Sequence, residues 1–67
     1  MHITVNRRPE EFPESELSVS EVFVRLRFSF PLIITRLNGH LVQRAEWAAT
    51  MLRDGDVLDA DHLIGGG

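Results

Sequence analysis

The chain has 67 residues and a formal net charge of −3 at pH 7; 43% of its residues are hydrophobic and 25% are charged. This length allows one domain, and the composition is that of a folded domain rather than a disordered segment. The acidic balance argues against nucleic acid as a partner, because a phosphate backbone is bound by basic surfaces. No apolar run approaches the roughly 20 residues of a membrane span. We also recognise no secretory signal, and we therefore expect a cytoplasmic protein without a membrane partner.

Cysteine and lysine are both absent from the chain. The lack of cysteine excludes disulfides, thiolate metal sites and a cysteine nucleophile. The seven basic residues are all arginines, which a compositional bias of a GC-rich genome explains most simply. Because the chain contains no lysine, no side-chain amine is available to react with an activated carboxyl group of the same chain.

The first segment predicts a β-hairpin. Residues 2–6 alternate in polarity and are rich in β-branched side chains, which predicts a strand at the start of the chain. A turn is expected at residues 6–9, followed by a short return strand over residues 10–12 whose core residue is Phe12. Residues 13–16 have the composition of a loop.

The clearest local signal predicts a helix. Ser18 and Glu21 have the spacing of a capping box, in which each side chain accepts a hydrogen bond from the other residue's backbone N–H. Leu17 and Val22 flank them at the spacing of a hydrophobic staple. Apolar residues then recur at helical spacing, so we predict a helix over residues 19–27 that ends where a proline approaches.

A second hairpin follows the helix. Residues 32–37 are the most strongly β-forming run of the chain, and residues 40–42 are predicted to return as its partner strand. The Asn-Gly pair at residues 38–39 is typical of a type I′ turn. Residues 44–49 are expected to form a helical turn that places Trp47 on the core.

The last predicted strand covers residues 57–64 and follows a tight turn at residues 53–56. Successive side chains of a strand point to opposite faces of the sheet. Alternation therefore places three residues in the core and two aspartates on the outer face: Leu58, Ala60 and Ile64 inward, Asp59 and Asp61 outward.

The order of these elements limits the fold class. It predicts an α+β domain in which a mixed sheet of four to five strands is covered on one face by the single main helix. If the first and last strands lie parallel in the middle of the sheet, the architecture is a β-grasp, or ubiquitin-like, fold. We expect residues 1–64 to form this domain and residues 65–67 to form a flexible glycine tail.

Four motifs follow one another in order along the chain. They are the Asn-Gly pair at residues 38–39, Val42-x-Arg44-x-x-Trp47, Asp54-Gly55-Asp56-Val57 and Ile64-Gly65-Gly66. Each motif alone is common, but their order and spacing are much harder to obtain by chance. Together with the opening Ile-Thr-Val-Asn strand, they resemble the ThiS/MoaD family of sulfur carriers, and its ThiS branch in particular.

The resemblance implies a carrier protein rather than an enzyme. In this family, an activating enzyme of the ThiF/MoeB type uses ATP and Mg²⁺ to adenylate the terminal glycine carboxylate, and the carrier itself binds no cofactor. Sulfur from a donor such as a cysteine desulfurase then replaces AMP and leaves a thiocarboxylate. A ThiS-like carrier, expected to be monomeric alone, delivers this sulfur to thiazole synthase in thiamine biosynthesis or to another acceptor.

The resemblance places the reactive group at the C-terminus. Many family members end on two glycines and this chain ends on three, so the loaded residue is Gly67 or, after proteolytic trimming, Gly66; we expect Gly67. Three preceding residues would complete the tail that partners bind: Leu63, Ile64 and Gly65. Four others are candidates for a partner surface: Asp59, Asp61, Phe28 and Phe30. For the aspartates, plain solvation of a strand face is the simpler interpretation. The alternative hypothesis is that the two aspartates, with Arg36 beside them, select a particular activating enzyme by charge complementarity.

Other chemistry has little support in the sequence. The acidic residues near the C-terminus and His62 lack the spacing of a calcium loop, and we predict neither a metal site nor a catalytic set. Three alternatives remain open: a carrier for the molybdopterin, cysteine or homocysteine pathways, a ubiquitin-like protein modifier, and a binding module whose tail is unused.

Overall fold

The structure, a computed structural model, describes residues 1–28 and 33–62. In these ranges the chain forms one α-helix, α1 (Val19–Arg25), and seven strands: β1 (His2–Val5), β2 (Arg8–Glu11), β3 (Glu16–Ser18), β4 (Ile33–Leu37), β5 (His40–Val42), β6 (Met51–Arg53) and β7 (Val57–His62). A 3₁₀ turn, Arg44–Glu46, lies between β5 and β6.

Five of the strands form a mixed sheet in the order β2–β1–β7–β4–β5. The first and last strands of the chain, β1 and β7, are parallel, with Thr4 opposite Val57 and Val5 opposite Leu58. The other neighbours in this sheet are antiparallel. The predicted α+β class and β-grasp architecture are therefore confirmed, including the parallel pair at the middle of the sheet.

The core lies between α1 and one face of this sheet. Helix α1 contributes Val19, Val22 and Phe23, which are 0%, 0% and 4% exposed. Other buried members of the core cluster come from the strands and from the residue after β2: Ile3, Val5, Phe12, Leu17, Leu52, Leu58 and Ala60. The inward orientation predicted for two residues of the last strand and the core role of Phe12 are confirmed.

The turn between β1 and β2 is shorter than predicted. It contains only Asn6 and Arg7, with φ angles of 51° and 69°, as a two-residue hairpin loop of type I′ requires. Strand β2 therefore begins at Arg8, ahead of the predicted return strand at residues 10–12. Pro9 is tolerated inside β2 because this strand lies at the edge of the sheet, where one side needs no N–H donor.

The start of α1 follows the sequence signal. Ser18 is the N-cap residue, and its Oγ accepts a hydrogen bond from the backbone N–H of Glu21 at 3.1 Å. Leu17 and Val22 are both buried, as a hydrophobic staple requires. The residues that cap and staple the helix are therefore the predicted ones.

The end of α1 is earlier than predicted. The helix ends at Arg25 because Arg27 adopts a left-handed conformation, with φ of 60°. The N–H of Arg27 donates to the carbonyl of Val24 at 3.1 Å, and that of Phe28 donates to the carbonyl of Phe23 at 2.8 Å. This pair of bonds is a Schellman motif, and the contact of the Phe23 and Phe28 rings, with centroids 5.6 Å apart, is its usual apolar partner.

A second, two-stranded sheet was not predicted. Strands β3 and β6 are antiparallel and place Leu17 opposite Leu52, although residues 13–16 were predicted to be a loop. Three-residue strands are too short to show a period in the sequence. The small sheet brings the start of α1 onto the segment before β6, where the N–H of Val19 donates to the carbonyl of Thr50 at 2.9 Å.

The remaining strand boundaries agree with prediction to within one residue where the structure describes them, whereas the helical turn predicted at residues 44–49 covers only Arg44–Glu46. Strand β4 is described from Ile33 and β7 as far as His62. Residues 32, 63 and 64 lie outside the described ranges, and so does the tail expected at residues 65–67. In the part of the chain that the structure describes, no helix has the length and apolar character that crossing a membrane requires.

The left-handed residue at the end of α1 gives a stability prediction. Arg27 is exposed, and a side chain at positive φ costs roughly 1–2 kcal/mol, which glycine avoids at a smaller entropic cost. We expect Arg27→Gly to raise the free energy of unfolding by about 0.5–1 kcal/mol in chemical denaturation followed by Trp47 fluorescence. Arg27→Ala is the control, because it removes the charge but keeps the strain. Equal stability of the two variants would contradict this explanation of the helix end.

Candidate functional site

The last strand, β7, is held on both of its edges. Strand β4 pairs with it over five positions, from Ile33 opposite His62 to Leu37 opposite Leu58. Strand β1 pairs with it on the other side, but only at Val57 and Leu58. Since β7 is the last described element, the position and direction of the chain at His62 are set by this pairing.

The start of β7 is fixed by two turns that contact each other. The side chain of Asn38 accepts a hydrogen bond from the N–H of Val57 at 2.8 Å and donates to Asp56 Oδ1 at 3.1 Å. The other carboxylate oxygen of Asp56 accepts from the N–H of Arg53 at 2.8 Å. The Asn-Gly and Asp-Gly-Asp motifs are therefore one unit, at the end of β7 opposite to the tail. Sequence reasoning treated them as two separate turns.

The Asp-Gly-Asp turn also holds the start of β1. The side chain of Asp54 accepts from the N–H of His2 at 2.7 Å, and the N–H of Gly55 donates to the carbonyl of His2 at 2.7 Å. Gly55 has φ of 90°, a conformation that residues with a side chain rarely adopt. The turn chemistry therefore fixes the relative position of the two central strands at one end of the sheet.

The outer face of β7 carries the two aspartates predicted there. Asp59 is half-buried and Asp61 is exposed, with both on the side away from the core. Arg36 lies opposite Asp59 in β4, and its Nη1 is 3.4 Å from Asp61 Oδ2. The side chains of Arg36 and Asp61 are 47% and 67% exposed, so this ion pair contributes little to folding and remains accessible to a partner.

The turn between β1 and β2 lies beside these aspartates. Asn6 and Arg7 line an open depression of about 430 Å³ together with Asp59 and Asp61. Sequence reasoning did not connect this turn with the end of β7, because the two segments are more than fifty positions apart and only the parallel β1–β7 pairing brings them together.

The outer face also carries apolar side chains. Val57 lies on it by strand alternation and is 40% exposed. Leu41 lies on β5, opposite Arg36 of β4, and is 56% exposed. Exposed apolar side chains therefore lie on the same face as the charged ones.

The other predicted site residues lie elsewhere or are not described. Phe28 is half-buried against Phe23 and lines a second open groove of about 490 Å³, which also includes Leu26 and Asn6. Phe30 lies outside the described ranges, and so do the predicted tail residues Leu63, Ile64, Gly65, Gly66 and Gly67. Among residues 1–28 and 33–62, no group of three acidic or histidine side chains is arranged to hold a metal ion.

The contact between the two turns gives a testable prediction. Asn38 has φ of 51°, so Asn38→Gly suits the backbone and removes only the side-chain bonds to Asp56 and Val57. We expect the free energy of unfolding to fall by about 1–2 kcal/mol, measured by chemical denaturation. A fall in the free energy of unfolding of less than about a few tenths of a kcal/mol would mean that water replaces these bonds at no cost.

Comparisons with known proteins agree with this architecture. The model of the ThiS family matches residues 3–67. A crystal structure of the thiamine biosynthesis protein ThiS from Geobacter metallireducens is 30% identical, with 100% of both chains covered and a TM-score of 0.88. A solution structure of a thiamine biosynthesis protein from the same organism is also 30% identical, covers 100% of this chain and 88% of its own, and has a TM-score of 0.78. No curated protein sequence matches the chain.

Proposed function

The chain belongs to the ThiS family, and we propose that it is a sulfur carrier whose C-terminal carboxylate is adenylated by a ThiF/MoeB-like enzyme and converted to a thiocarboxylate. The observation that carries the proposal is the family match through residue 67, directly after a strand that is paired on both edges. We assign the sulfur to thiamine biosynthesis, because both similar solved structures are described as thiamine biosynthesis proteins.

The chemistry explains why a carrier needs an activating enzyme. A carboxylate is a poor acyl electrophile, since its charge is shared by two oxygens and neither is a good leaving group. Attack of the Gly67 carboxylate on the α-phosphorus of ATP forms an acyl adenylate and releases pyrophosphate. ATP and its Mg²⁺ belong to the activating enzyme in this scheme, and the carrier supplies the reacting carboxylate.

Sulfur enters in the second step. A sulfur nucleophile attacks the carbonyl carbon of the adenylate, the C–O bond breaks, and AMP leaves with the electron pair. With hydrosulfide as nucleophile, the product is the thiocarboxylate directly; with a persulfide donor, a thiol must then cleave the S–S bond. Glycines at residues 65–67 suit both steps, because a chain without side chains can enter a narrow active site.

The loaded residue is Gly67 in this proposal. The family match extends to this residue, and loading of Gly66 would require removal of one residue first. Leu63, Ile64 and Gly65 then form the part of the tail that contacts the walls of the partner's channel.

Intact-mass analysis tests the proposed reaction. The purified chain is incubated with a ThiF/MoeB-like enzyme, ATP, Mg²⁺ and sulfide. We expect a mass gain equal to the difference between sulfur and oxygen, which fragmentation assigns to Gly67. A chain that lacks Gly66 and Gly67 is the control and should stay unmodified.

Three other outcomes of this experiment are informative. Sulfur on a shortened chain would assign the loaded residue to Gly66. Adducts between the intact chain and lysine side chains of other proteins would instead indicate a ubiquitin-like modifier. A carboxylate that remains unchanged with an enzyme active on another carrier would contradict the proposal.

We further propose that the outer face of β7 docks on the activating enzyme, with Asp59 and Asp61 facing basic side chains. Both carboxylates lie on the last strand before the tail, and Arg36 neutralises only part of their charge. Charge complementarity of this kind mainly raises the association rate and falls with salt. Phe28, the other described candidate for a partner surface, lines a second groove and is not included in this docking face.

Charge reversal tests the docking face. We expect Asp59→Arg combined with Asp61→Arg to lower kcat/KM for adenylation by roughly tenfold at low salt, with a smaller effect at high salt. Because both residues lie on the outer face, the free energy of unfolding should change little. Glu11→Arg combined with Glu16→Arg is the matched control, since it makes the same change in charge at exposed positions of other strands. Equal loss of rate in both double variants would refute a specific acidic docking site.

A further inference from the structure

Strand β1 turns away before it reaches the last residues of β7. The N–H of Thr4 donates to the carbonyl of Asp56, the residue before β7, at 3.0 Å. The N–H of Asn6, the residue after β1, donates to the carbonyl of Leu58, also at 3.0 Å. At Asn6 the chain enters the left-handed region, with φ of 51°, and β2 begins two residues later. The backbone of β1 is therefore not available as a partner for Ala60.

The side chain of Asn6 takes the place of the missing backbone. Its Oδ1 accepts a hydrogen bond from the N–H of Ala60 at 2.8 Å, and its Nδ2 donates to the carbonyl of Ala60 at 3.2 Å. A carboxamide carries the same donor and acceptor as a peptide group. The side chain thus continues the parallel ladder by one residue beyond the end of β1.

The position makes these two bonds important. Ala60 is 9% exposed, and a buried backbone group that loses its hydrogen-bond partner destabilises the folded state. On its other edge, the end of β7 pairs with β4, at Thr35 opposite Ala60 and Ile33 opposite His62. Without Asn6, the residues that lead into the tail would be held along one edge only.

The residue type fits both requirements of the site. Asparagine is one of the few residues with a side chain that enters the left-handed region readily. Aspartate would keep the acceptor for the N–H of Ala60 but would turn a negative oxygen toward its carbonyl. Glycine would satisfy the turn and leave both groups of Ala60 without the side-chain partner.

We propose that Asn6 is a positioning residue that fixes the end of β7 and so directs the tail toward the activating enzyme. This inference rests on the proposed carrier function, because it concerns how the tail is presented. A tail whose base is ordered loses less conformational entropy when it enters a channel, so Asn6 acts on the binding of the carrier rather than on the chemical step.

Hydrogen exchange tests the structural part of the inference. Asn6→Gly is compared with Asn38→Gly, which removes an asparagine with the same φ of 51° and a bond to the start of the same strand. We expect Asn6→Gly to accelerate exchange of the amides of Ala60, Asp61 and His62 at least about tenfold relative to that of Phe28, which reports on the helix end. Asn38→Gly should leave this ratio unchanged. Uniform acceleration of all amides in Asn6→Gly would reduce Asn6 to a general stabilising residue and overturn the proposal.

Steady-state adenylation tests the functional part. In Asn6→Gly we expect KM for the carrier to rise roughly tenfold, equivalent to about 1.4 kcal/mol, while kcat stays close to that of the unaltered chain. The KM of Asn6→Asp, which keeps one of the two bonds, should lie between that of Asn6→Gly and that of the unaltered chain. Asn38→Gly should keep the normal KM.

The two levels of failure are distinguishable. Accelerated exchange at residues 60–62 with an unchanged KM would show that the bonds exist without directing the tail, and would overturn the positioning role alone. A chain without substitutions that is never adenylated would instead defeat the proposed function, and the positioning role with it.

Discussion

The pairing of β7 on both edges is the constraint on which the rest of the structure depends. Its antiparallel partner β4 covers five positions, whereas its parallel partner β1 reaches only the first two. The chain compensates at both ends of β7 with an asparagine in a hairpin turn, Asn38 at the start and Asn6 near the end. In each case, a side-chain amide forms hydrogen bonds with backbone groups of β7, at Val57 for Asn38 and at Ala60 for Asn6.

A domain of this size has few apolar side chains to bury, so local hydrogen bonds carry a large share of its order. The Ser18 cap, the Schellman motif at Arg27 and the Asp56 turn each fix one end of an element. These hydrogen bonds do not involve the outer-face side chains of Asp59 and Asp61. Asp59 and Asp61 can therefore serve recognition at little cost to the fold.

Local signals in the sequence predicted the α+β class, whereas the β-grasp architecture also depended on a parallel pairing of the first and last strands. The cap at Ser18, the Asn-Gly turn at residue 38 and the alternation along β7 are encoded within a few residues, and each was confirmed. The motifs also indicated the correct family. Contacts between distant segments were not predictable in this way. The β3–β6 pair has no period to detect, and the bonds between Asn6 and Ala60 exist only because β1 and β7 are parallel.

The central claim is that this domain exists to present a C-terminal carboxylate for sulfur loading. The most direct test is the intact mass of the chain isolated from its own cells, with and without a gene for the activating enzyme. The account predicts a fraction of molecules that carry sulfur in place of one oxygen at the C-terminus, and loss of that fraction when the enzyme is absent. A chain that keeps an unmodified carboxylate in both cells would contradict it.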